Sequence, residues 1–106
     1  MTGSEKKRWE IWADDLRQAM MNDLESEMTK SVNQIADETG TDKTRSVLCS
    51  RRFWNSCQAG KSPNGAITEA GFEIDFHPNG KNEIDTVTLR LNDTWKGIMQ
   101  RVLDRQ

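Results

Sequence analysis

Arg45, Arg51, Arg52 and Asn55 are the side chains in this chain whose types and spacing could do chemistry. If residues 42–58 form one helix, a turn of 100° per residue gathers all four within about 120° of arc. Arg can meet guanine O6 and N7, and Asn can meet adenine N6 and N7, each with two hydrogen bonds. Lys43, at the start of the same helix, falls where a phosphate would lie, and Lys61 in the following loop adds a further cation. The chemistry implied is recognition of nucleic acid, with no bond made or broken.

Catalytic arrangements are poorer. His77 is the single histidine and sits beside Pro78 at an expected turn. A zinc site lacks its second histidine, and two cysteines on one helix face do not supply tetrahedral geometry. Cys49 or Cys57 with His77 could be written as nucleophile and base. Both cysteines nevertheless fall on the apolar arc of their helix, where a thiol is inert. They are eight residues apart, roughly 12 Å along a helix axis, too far to bond to each other. Glu73 and Asp75, with Glu83 and Asp85 facing them, could hold Mg²⁺, but the lysine that accompanies such a hydrolytic site is missing nearby. A solvated sheet face with Arg90 and Lys81 as partners accounts for them better. Gly60-Lys61-Ser62 is not a phosphate loop: position 55 is Asn55 where glycine is required, and Pro63 follows where a helix should begin. No enzyme, metal or cofactor is expected.

Charge is unevenly distributed around this segment. The formal net charge is -2, but residues 1–28 carry -3, residues 29–65 carry +3 and residues 66–106 carry -2. A basic middle in an acidic chain could present an anion-binding face, or could simply balance the flanks. No apolar run approaches the ~20 residues of a membrane span, and no signal-peptide core follows Met1. Reduced cysteines and a cytoplasmic location are the corresponding expectations.

The elements that must position these residues can be read from periodicity. A Thr2–Glu5 capping box opens a helix at Gly3 or Ser4. Trp9, Ala13, Leu16, Met20, Leu24 and Met28 form its stripe, about 25 residues long. Ser31 with Gln34 caps a short second helix, Gly40 ends it, and Thr41 or Asp42 caps the third. Val47, Phe53, Trp54 and Cys57 are expected in the core, with Leu48 at the margin. Phe72, Ile74 and Phe76 alternate as a strand, with Ile67 as an earlier strand residue, and Asn79-Gly80 turns it. Val87, Leu89 and Leu91 return it, and the parity of Ile84 calls for a bulge. Asn92 or Asp93 caps a last helix carrying Trp95, Ile98, Met99, Val102 and Leu103.

The expected architecture is one α+β domain over residues 1–106: a long N-terminal helix, two further helices, a two-stranded antiparallel hairpin and a C-terminal helix, an order with winged-helix character. Residues 31–58 then form a helix-turn-helix-like segment and the hairpin a wing, which reads as a DNA-binding regulator. A module binding a protein partner, such as a small inhibitor, immunity or adaptor protein of the kind phages and mobile elements carry, is the alternative. Its anchors would be the tryptophans, and a homodimer through the Trp-bearing first and last helices goes with it.

Overall fold

In the computed structural model, which describes residues 3–40, 45–59 and 65–105 (residues 3–5 and 45 by backbone alone), helix α1 spans Gly3–Asp23 and stops there. Leu24 enters the left-handed region at φ 57°. The Glu25 N–H then donates to the Met20 carbonyl at 2.9 Å and the Leu24 N–H to that of Met21 at 3.3 Å, the paired bonds that close a helix on a left-handed residue. Glycine usually takes that position; a leucine there costs roughly 1 kcal/mol or more, offset by its packing against the core. The expected continuation of the helix through Met28 is therefore corrected.

The chain continues as a strand, β1, Glu27–Ser31. Its inward positions are Met28 and Lys30, and the lysine, only 8 % exposed, hides the alternation that marks a half-buried strand. Lys30 tolerates burial because its Nζ meets Glu38 Oε2 at 3.1 Å. Ser31 ends the strand and caps helix α2, Val32–Thr39, its Oγ accepting from the Gln34 N–H at 3.0 Å. Gly40, at φ 62°, closes α2 with its N–H on the Ala36 carbonyl at 3.1 Å.

The expected single helix over residues 42–58 is two: α3, Arg45–Leu48, and α4, Arg51–Gln58. Ser50 breaks it by competing for backbone groups. Its Oγ donates to the Val47 carbonyl at 2.8 Å and accepts from the Phe53 N–H at 3.2 Å. The break resets the helical phase. Leu48 becomes fully buried while Val47 is 38 % exposed, the reverse of the expectation.

Residues around Ile67 form a short helix, α5, Ala66–Glu69, in place of the expected strand. Strands β2, Phe72–Pro78, and β3, Ile84–Leu91, come after it. The expected two-stranded hairpin is thereby corrected to a three-stranded antiparallel sheet in the order β1-β3-β2, with six helices among the described residues; the α+β class stands. Met28, Leu89 and Ile74 align across the inner face, and Thr29, Thr88 and Asp75 across the outer one. His77 pairs with Thr86 but Pro78 with Ile84, leaving Asp85 as the extra residue of a bulge that turns Ile84 fully inward.

The last helix, α6, Asp93–Asp104, is capped by Asn92, whose side chain accepts from the Trp95 N–H at 3.1 Å. Trp95 lies against Gly71, where φ is +105° and an added Cβ would stand 2.2 Å from Trp95 Cδ1. The Arg17 guanidinium lies over that ring, 4.3 Å from its centroid. In the core, Trp9 meets Phe53 at 5.8 Å between centroids, and Phe53 meets Trp54 at 4.9 Å. Trp9 and Trp12 are 2 % and 7 % exposed. No described helix is long and apolar enough to cross a membrane.

Candidate nucleic-acid interface

Three fixed points on the backbone hold α4 in place. The Trp54 Nε1 donates to the Leu48 carbonyl at 2.5 Å, across the break before the helix. The Ile84 N–H donates to the Cys49 carbonyl at 2.8 Å and ties the same break to the start of β3. Gln58, at the helix end, donates through Nε2 to the Ile74 carbonyl of β2. Both ends of α4 are thus fastened to the β2–β3 hairpin, and Phe53, Trp54 and Cys57 bury its rear.

Its front is polar. Arg51, Arg52, Asn55, Gln58 and Ala59 are exposed and Ser56 is half-buried. At 100° per residue these positions cover about 160° of arc, with Arg51 and Gln58 on one margin and Arg52 and Ser56 on the other. Arg52, Asn55, Ser56 and Ala59 line one shallow depression, and Ser46, Val47, Ser50 and Arg52 help line a second beside it. The first turn of α4 holds two arginines and no acidic residue.

The hairpin tip stands beside this face. Asn79 organises it: its Oδ1 accepts from the Lys81 and Glu83 N–H groups at 2.8 and 3.2 Å, and its own N–H donates to the Glu83 carbonyl at 2.7 Å. Positive φ falls on Asn82, at 62°, where sequence reasoning expected the Asn79-Gly80 pair to supply it. Asn82 then reaches α4 directly, its Oδ1 accepting from Arg51 Nη2 at 2.6 Å. Lys81 and Glu83 are exposed on the same tip.

Of the residues chosen from sequence, Arg51, Arg52 and Asn55 share one exposed face. Lys43, Lys61 and the Arg45 side chain lie outside the described residues. Asn82 was missed in sequence. Its signal was an asparagine in a turn, a residue that tolerates left-handed backbone, but nothing in the sequence linked it to Arg51. Ser50 and Gln58, which fix the helix, were missed for the same reason.

The other chemical candidates are dispersed. Cys49 and Cys57 are both buried. His77 is exposed on the outer sheet face, its Nε2 2.8 Å from Thr88 Oγ1, which in turn lies 2.8 Å from Thr29 Oγ1. Glu73 and Asp75 pair across the sheet with Arg90 and Thr88; Glu83 precedes β3 and Asp85 sits in the bulge. The hydrogen bond from Arg90 holds the Asp75 carboxyl below its ordinary value, and Asp75 raises Arg90 in return. Among the described residues no group of three or more His, Cys, Asp or Glu could hold a metal ion. Neither a protein-family model nor a curated protein nor a solved structure matches this chain.

Proposed function

We propose that this chain is a non-enzymatic DNA-binding regulator that uses the front of α4 together with the tip of the β2–β3 hairpin. The observation that carries the reading is the hydrogen bond from Arg51 to Asn82, which joins helix face and hairpin tip into one exposed surface. Two arginines and an asparagine on a helix backed by the core are the side chains that read base edges in a major groove. The break between α1 and α2 also favours it, because an unbroken helix over residues 3–39 would have formed a long helical pair and removed the reading. A protein-binding role would draw on tryptophan anchors; Trp9, Trp12 and Trp54 are instead buried, and Trp95 is half-buried under Arg17. The lack of an exposed aromatic on the α4 face favours duplex over single-stranded DNA, whose bases are held by ring stacking.

A gel-shift assay with duplex and single-stranded DNA tests this at about 50 and 200 mM salt, a range over which phosphate contacts weaken strongly. Duplex should be retarded at the lower salt and released at the higher. Arg52→Ala and Asn55→Ala should each weaken binding about tenfold, the scale of one bidentate base contact. No retardation at low salt, or retardation indifferent to both changes, contradicts the reading. A single stoichiometric protein partner recovered with the purified chain would point to the protein-binding alternative.

A further inference from the structure

The front of α4 need not act as one undifferentiated basic patch. Arg51 sits at the margin facing the hairpin and is already fixed to Asn82, whereas Arg52 and Asn55 lie further round the face. We infer that Arg51, Asn82 and Lys81 form a clamp for a single backbone phosphate of duplex DNA, leaving Arg52 and Asn55 to read bases. This rests on the DNA-binding reading above and divides its labour.

The clamp follows from donors. Asn82 spends its Oδ1 on Arg51 at 2.6 Å, which turns the side-chain amide so that its two N–H donors remain on the other side. Arg51 uses one nitrogen in that bond and keeps further N–H groups in its planar fork, the geometry that suits a phosphate. Lys81 is the adjoining residue on the tip and is exposed. Its backbone is fixed by the 2.8 Å bond to Asn79, so its ammonium swings from a set base. The notch therefore offers two cations and an amide donor to one anion, on a tip held by four bonds within the turn. Glu83 is an exposed acid on the same tip, and its charge opposes an anion there.

Phosphate contacts position a protein without conveying sequence, and base contacts specify. The two sets of residues are thus expected to fail differently when altered. Binding of a random-sequence duplex pool, and of the sequence the wild-type protein selects from it, is measured across salt. Arg51→Ala should weaken both DNAs by the same factor and lower the salt slope by about one. Asn82→Gly, which keeps the left-handed backbone, should do likewise to a smaller extent. Asn82→Asp is the deciding variant. It retains the acceptor for Arg51 but removes the amide donors and adds a negative charge, so a phosphate clamp loses the most affinity here. Binding preserved or improved by Asn82→Asp overturns the clamp, because neither the amide donors nor a neutral tip would then be needed. Arg52→Ala should cut the preference for the selected sequence about tenfold and lower the salt slope less than Arg51→Ala does. Wild-type binding with unchanged slopes in the Arg51 and Asn82 variants overturns the clamp and leaves the functional reading intact; no wild-type binding overturns both.

Discussion

Glu38 shows how one residue ties three elements together. It accepts Lys30 Nζ at 3.1 Å, Trp12 Nε1 at 3.0 Å and Gln34 Nε2 at 2.8 Å, joining β1, α1 and α2. Burial raises its carboxyl, but the hydrogen bonds from Trp12, Lys30 and Gln34 together outweigh it and leave the group below its ordinary 4.5. A depressed carboxyl stabilises the fold fully above the unfolded-state value and loses that contribution as pH falls through the lower folded-state value. Urea titrations at neutral pH should therefore find Glu38→Ala destabilised by about 1–3 kcal/mol, because Lys30 is left buried without its partner. The gap between variant and wild type should narrow at pH below 4.5; a gap that widened on acidification would refute the assignment. Gly71 makes a second residue-scale case. Gly71→Ala places a Cβ into Trp95 at a backbone conformation that side chains avoid, and should cost at least about 2 kcal/mol in the same assay. A neutral result would mean that α6 does not pack there.

At the scale of elements, α4 is held by its ends, so its capping residues should matter more than its short length suggests. Ser50→Ala removes both the N-cap and the bond that breaks the preceding helix, with an expected cost of about 1 kcal/mol. Trp54→Phe keeps apolar bulk but orphans the Leu48 carbonyl, which should cost about 1–3 kcal/mol. Both variants should also weaken DNA binding in proportion to the loosening of the Arg51–Asn82 pairing, measurable by titration of labelled duplex. Much of the element list was legible in the sequence. The α1 stripe, the Ser31 cap, the Gly40 terminator, the β2–β3 alternation and the Ile84 bulge each follow from local spacing. The illegible parts depended on tertiary contacts. β1 reads as polar because Lys30 faces inward onto Glu38, 8 residues away along the chain. The α3–α4 break depends on Trp54 and Ile84 holding carbonyls that a continuous helix would have used.

For the whole molecule, the proposed recognition falls to a local surface on a chain whose formal net charge is -2. Counterion release depends on the phosphates actually contacted, so the sum matters less than the acids near the interface. Glu83→Gln should accordingly tighten duplex binding a few-fold at low salt, with less effect at high salt; unchanged affinity would place the tip away from the DNA. The candidate residues themselves were readable as a helical arc, since Arg51, Arg52 and Asn55 keep their spacing within α4. Their junction with the hairpin tip was not, because the Arg51–Asn82 contact spans 31 residues and has no periodic signature. On the proposed function, this junction is where DNA sits. The most direct test of that claim is to map backbone amide shifts in the nuclear magnetic resonance spectrum as duplex DNA is added. Perturbations are predicted to concentrate in residues 51–59 and 79–83. Perturbations centred on α1 or on the outer sheet face around His77, Thr88 and Thr29, or none at all, would contradict the claim.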